Sequence, residues 1–467
     1  MKNYKKVYAA FILAGGLILH GCNGIFDDLA INPNQPSMGA YFTSPSAVND
    51  AVMTMYGYMS TQRCLGASGS KTTIIRSDEA SSNSDYGKPG MFGADLNASY
   101  YTIEQPYTLM YTTASQASYI IETAPSVDFS GNEEMRNAYM GEAYFWRAFA
   151  HYYLLINFRN ISPIRQMPRN GDDYVRPLEK PAAVWDFIQE DLAHAKELLP
   201  VKGYWDSKNA GRVTKASAAA LLGKAYLYRS GIEQYYGEDK TTFYSEAAKE
   251  FGDVIDGKYG TYDLTKNYAD NFDVAHENNE ESILEFQFLG DVDNAGFNPG
   301  LATSGLAFDS RGLMLPGAGV GYEGVVHNWL YNAFVNSIDK DGYTDIRMFS
   351  TMIFNDLDAS IHLRNDAGGN PVRLEGPGGY KWEELYPAKN GKEGFATVSN
   401  PLAHSFKAGI RKGIDCSMPT QTEADGTPKL VGVGAGVKEY VYNQPRAHGV
   451  NWRYIRYADV LMMYAES

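Results

Sequence analysis

The sequence predicts a mainly α-helical protein, a helical scaffold that carries one large lobe of loops and short strands. Three observations lead there. Apolar residues between Ser46 and Asp256 recur at helical spacing, in segments bounded by capping and breaking residues. From Lys258 to Asn451 glycine and proline become dense and that periodicity fails. A helical pattern returns from Trp452 to Glu466.

Taken in order, helices fit Ser46–Ser60 and Glu104–Thr123. From Glu133 to Asn157, Met135, Tyr139, Trp146, Phe149 and Tyr153 fall near helical spacing, and Ala143, Ala148 and Ala150 permit close helix approach. Phe145, Tyr152 and Ile156 form a second apolar face, which predicts burial between two neighbours. The next helix runs from Ala183 to Leu199, with Pro181 before it and Pro200 stopping it. Another starts at Thr214 as N-cap and passes through Ala218, Leu222 and Ala225 toward Gly231. A further one spans Thr242–Asp256, with Ala247, Phe251 and Val254 inward and Gly257 as its stop. These are tetratricopeptide-like lengths, and such pairs stack because no single pair buries its own apolar face.

The glycine-rich runs Gly312–Gly324, Gly368–Gly379 and Gly391–Gly394 mark the lobe, which is too long to be a simple loop. One helix fits Val325–Asn336 inside it. The expected organisation is a signal segment 1–21, a linker 22–45, a tetratricopeptide-like scaffold 46–257, an irregular ligand-binding lobe 258–451, and helices beginning at 452–467. The last helical pattern ends at Ser467 without a cap, and the chain reads as cut there.

Composition narrows the partners. The formal charge of −14 becomes −17 once the three lysines of the signal segment are removed, which excludes the basic footprint nucleic acid requires. Lys2, Lys5 and Lys6 precede the apolar run Val7–Leu19, too short to span a membrane, and the run stops at Gly21-Cys22. This junction resembles the bacterial lipobox, which implies a lipidated Cys22 and a membrane anchor. Beyond Cys22 only Cys64 and Cys416 remain, which is no disulfide framework; a pair or two free thiols both fit. The 35 tyrosines suit helix packing more than ligand stacking.

Several segments together resemble the SusD/RagB family of Bacteroidetes surface lipoproteins. They are Gly141-Glu142-Ala143-Tyr144-Phe145-Trp146-Arg147-Ala148-Phe149-Ala150, Gly211-Arg212-Val213-Thr214-Lys215-Ala216-Ser217-Ala218, the strand Glu280–Phe288, Asp345-Ile346-Arg347, and the stretch Arg456–Glu466. They occur in the family's order over nearly the whole chain, with Asp27 and Asp28 resembling its acidic export tag. The resemblance implies a SusD-like fold, a lipid-anchored place on the outer face of the outer membrane, and a lid on a SusC-like TonB-dependent transporter. It implies an oligosaccharide ligand, with a RagB-like peptide ligand as the alternative, and no cofactor. Family members continue with further helices after the last motif.

Other chemistries find little support. Gly319–Gly324 fits G-x-G-x-x-G, but Pro316 and Gly317 stand where a leading strand is required. Asp291–Gly296 hints at a calcium loop, yet Ala295 and Ala302 occupy ligand positions. No zinc motif or nucleophile elbow occurs, so neither a catalytic nor a metal residue is assigned and an enzyme is not expected. A helical interaction scaffold and a surface glycoside hydrolase remain as the weaker classes. For the ligand, Arg76, Asp78, Asn83, Tyr86 and Phe92 combine charge, amide and aromatic faces in one Gly/Ser-rich loop. Tyr322, Tyr380 and Trp382 supply rings in the lobe. The expected site lies between that loop and the lobe. Trp146 and Trp185 read as helix packing, and Trp329, beside Leu330 and Phe334, reads as core.

Overall fold

A computed structural model describes residues 42–61, 63–66, 73, 76–81, 98–167, 175–237, 239–288, 325–354, 359–372, 408–410, 430–432, 438–440 and 450–467. Among the described residues the scaffold helices are α1 (Pro45–Ser60), α2 (Tyr101–Thr123), α3 (Glu133–Phe158), α4 (Pro181–Leu198), α5 (Lys215–Tyr236) and α6 (Tyr244–Ile255). The lobe holds α7 (Asn328–Asn336), α8 (Arg347–Thr351) and the strands β1 (Ala80–Ser81), β3 (Val325–Val326), β4 (Met352–Phe354), β5 (Ala408–Ile410), β6 (Leu430–Gly432) and β7 (Lys438–Tyr440). Strands β2 (Ser282–Phe286) and β8 (Trp452–Arg456) join the two parts, and α9 (Tyr457–Glu466) follows β8.

Local chemistry sets the helix ends. The Ser44 hydroxyl accepts from the Ala47 amide and Pro45 occupies the first turn of α1. The Asn132 carboxamide accepts from the Met135 amide to start α3, with Glu133 and Glu134 in its first turn facing the positive helix end. Thr214 and Ser217 form a capping box at α5. That helix passes through Gly231 and ends only at Gly237, which takes the left-handed C-cap conformation at φ +69°. The expected stop at Gly231 is therefore wrong: an isolated glycine costs about 1 kcal/mol, which neighbouring packing readily exceeds.

Successive helices pack pairwise, α2 on α3, α3 on α4, α4 on α5, α5 on α6 and α6 on α9, with α1 lying across α2 and α3. The result is a tetratricopeptide-like helical scaffold. Helix α3 is buried on both apolar faces, as its sequence predicted; Phe145, Trp146, Phe149, Tyr152, Leu154 and Leu155 are all within the core. Trp146 and Trp185 are fully buried packing residues. Gly223 lets α5 approach α6, since a Cβ there would lie 2.7 Å from the Phe251 ring. Cys64 is a buried free thiol, and burial pushes it up to about 12.

Charged side chains inside the scaffold are paired. Arg147 grips Asp191 through two bonds of 2.7 Å, linking α3 to α4. Arg159 does the same to Glu233, which also accepts from the Trp185 indole at 2.7 Å. Such pairs fix which helix faces meet; net stabilisation is small because desolvation offsets attraction.

Two strands, one on each side of the lobe in the chain, meet on the scaffold. β2 pairs antiparallel with β8, with Glu285 opposite Arg453 and Phe286 opposite Trp452. Asn451 donates to Glu285 and accepts from the Phe288 amide, and Arg453 caps the Asn271 and His276 carbonyls. The sequence pattern placed a helix from Trp452 onward, but Trp452–Arg456 are extended and the helix begins at Tyr457. Alternating Arg453 and Ile455 inward needs a partner strand about 170 residues upstream, which no local pattern reveals. No described helix is long and apolar enough to cross a membrane.

Candidate functional site

The segment after α1 does not stay on the scaffold. Its residues Ala80 and Ser81 form β1, which pairs with Val326 and Val325 of β3 at one edge of a four-stranded lobe sheet ordered β1-β3-β5-β4. The His327 amide donates to the Glu79 carbonyl at 2.9 Å and extends the pairing by one residue. Two residues further on, the Trp329 indole N–H donates to the Asp78 carbonyl at 2.7 Å. The loop and the lobe, which the sequence nominated as the two walls of a site, are thus joined here.

Trp329 is the feature the sequence reading misplaced. It is 50% exposed, whereas Tyr331 is 2% exposed and carries the packing of α7. Two residues subtend roughly 200° on a helix, so burying Tyr331 turns Trp329 outward. Its one polar atom is satisfied by Asp78, so the exposed surface is a fixed aromatic face. Asp78 and Glu79 are exposed beside the strand and offer two carboxylates there, and Arg76, also exposed, precedes them in the same segment. A ring face with planar polar groups around it suits a ligand that has C–H faces and hydroxyl edges.

Of the residues singled out from sequence, Asp78 falls at this junction, and Arg76 lies exposed two residues before it. Asn83, Tyr86, Phe92, Tyr322, Tyr380 and Trp382 lie outside the described residues, as does Cys22. The sequence held no signal for Trp329: α7 is nine residues long, Tyr331 is its buried residue, and only the packing of the helix shows that.

The most strongly buried displaced groups sit elsewhere, in the core around α3. His151 is lowered to about 3, chiefly by burial. Burial raises Tyr152 and Tyr454. These groups are insulated by packing rather than aligned at a surface where a proton could be passed.

Comparison with known proteins agrees with this architecture. Residues 31–227 match the SusD-like family model described as starch-binding and associating with the outer membrane. A SusD-like protein of Bacteroides ovatus is 26% identical over 293 residues, 62% of this chain and 51% of that relative. The chain spans about half the length of the curated relatives it matches. Among solved structures, a SusD homologue from Bacteroides thetaiotaomicron superposes with a TM-score of 0.64 at 17% identity, covering 92% of this chain and 74% of that one. A laminarin-binding SusD-like protein gives a TM-score of 0.59 at 20% identity, covering 91% and 80%. The family model, the curated relatives and the shared fold agree with the ordered motifs, and all of them make the chain similar to the SusD/RagB family.

Proposed function

We propose that this protein binds oligosaccharides at the cell surface and presents them, as a lid, to a SusC-like TonB-dependent transporter. The observation that carries the reading is the Trp329 ring, half exposed and held at the junction of loop and lobe by the Asp78 carbonyl. Aromatic faces recognise the C–H surface of a pyranose, and Arg76 and the neighbouring carboxylates supply partners for hydroxyls. One solved structure of this fold is described as laminarin-binding, which makes a β-1,3-glucan oligomer a sensible first probe. Binding without chemistry fits the known character of these relatives, and the protein acts as a receptor in this reading.

Titration calorimetry with laminarihexaose, together with other glucan and galactan oligomers and a peptide mixture, tests the proposal. A saccharide is expected to bind, and Trp329→Ala to weaken it by on the order of 1–2 kcal/mol, roughly five- to thirtyfold in Kd, with the melting temperature little changed. Equal binding by Trp329→Ala would move the site elsewhere, and binding of peptides alone would favour the RagB-like alternative.

The anchor belongs to the same proposal. Lipidated Cys22 would hold the lid beside its barrel, so that each reclosure is effectively intramolecular. Cys22→Ala is expected to leave a folded protein that partitions into the soluble fraction. Persistence in outer-membrane pellets from cells lacking the transporter would refute the lipid anchor.

A further inference from the structure

The platform proposed above is also a mechanical element. Trp329 and Asp78 are 251 residues apart in sequence, yet they meet through a bond of 2.7 Å. Next to that bond the Glu79 carbonyl accepts from His327, and among the described residues the pairs Ala80 with Val326 and Ser81 with Val325 hold β1 to the sheet. Each backbone bond of such an edge pairing contributes little by itself, because much of it is offset by the ordering of the strand. The indole bond therefore adds a side-chain tie to the backbone bonds that keep this segment on the lobe. The same bond fixes the ring, which cannot turn about its side-chain torsions without breaking it.

We infer that Trp329 is a positioning residue for the 78–81 segment, its indole N–H coupling occupation of the ring face to closure of β1 on the lobe. The inference rests on the sugar-binding reading for the ligand half of the coupling and on the hydrogen-bond geometry alone for the other half. Coupling of this kind is reciprocal: whatever factor closure adds to sugar affinity, bound sugar adds to closure. A ring already held in its binding pose also loses less freedom when a ligand stacks on it.

The bond can be removed without removing the ring by placing 3-benzothienylalanine at position 329, where sulfur replaces the N–H. Hydrogen exchange in peptides covering Val325–Leu330 reports the His327 amide. In the unliganded protein that exchange is expected to quicken several-fold in the sulfur analogue. Laminarihexaose is expected to slow it in the natural protein, and to bind the analogue several-fold more weakly. Unchanged exchange in the unliganded analogue would overturn the inference whatever the sugar does. Equal affinity of analogue and natural protein, with Trp329→Ala still losing binding, would leave the platform standing and remove the coupling. Undiminished binding by Trp329→Ala would instead remove the platform, while the unliganded exchange would still decide whether the indole bond closes the segment.

Discussion

Replacing Arg212 by alanine is expected to lower stability by about 3–5 kcal/mol, the range for breaking a buried ion pair from one side. Arg212 donates to Glu142 at 2.9 and 2.5 Å, and both side chains are shielded from solvent. Its remaining donors reach Asn49 of α1 and Asn209, and its plane lies 4.1 Å from the centre of the Trp205 ring. Tyr56 of α1 donates to the same Glu142 and accepts from the Val213 amide. One guanidinium thus ties α1, α3 and the entry to α5. Without it, Glu142 keeps one hydroxyl donor and loses its counter-ion inside the core. A Glu142→Leu/Arg212→Leu double variant is expected to recover much of the loss, because no charge is then stranded. Urea unfolding of the single and double variants checks this; a loss under about 1 kcal/mol for Arg212→Ala would show that the pair is not the tie described.

Acid is expected to destabilise the fold through His151 well before most carboxylates titrate. The His151 Nε2 accepts from the Ile164 amide, which can only donate, so the proton resides on Nδ1 and is given to the Arg147 carbonyl. Burial, with the positive charges of Arg147, Arg165 and Arg176 nearby, lowers its pKa to about 3 against a backbone bond that works the other way. An unfolded chain takes up this proton near pH 6.5 and the folded one refuses it until about pH 3. The sign follows: the contribution is complete above about pH 6.5 and is lost as pH falls, by up to about 1.4 kcal/mol per unit. Unfolding free energies between pH 7 and 4 for the natural protein and for His151→Gln should diverge by about that slope. Parallel profiles would mean that the folded protein accepts the proton at this position.

The candidate site illustrates why legibility differs from part to part. The loop holding Arg76 and Asp78 could be nominated from its composition, because glycine, serine and mixed polar residues outside helical periodicity mark a surface segment. That it becomes an edge strand of the lobe depends on pairing with Val325 and Val326, some 245 residues away. The polar network around Arg212 is similar. The motif Gly211-Arg212-Val213-Thr214 was recognisable, and Thr214 was readable as a cap. The reason for the arginine, a glutamate 70 residues earlier, was not. Gly211 adopts φ +82° and faces Gln287 so closely that a Cβ would lie 2.4 Å from its side chain, a constraint set by the lobe's entry strand.

The sequence by itself determined the helices of the scaffold and which of them is buried on two sides. These follow from contacts three or four residues apart and from caps within one turn, so the information is local. The tertiary structure alone decided that Trp452–Arg456 is a strand, that α5 passes Gly231, and that Trp329 faces outward. In each case a partner distant in sequence supplies the deciding energy: β2 for the strand, the packing of α4 and α6 around α5, and the sheet that buries Tyr331 on the opposite side of α7. A local pattern fixes how a segment can fold, and only its neighbours in space fix which of its faces is left for a ligand.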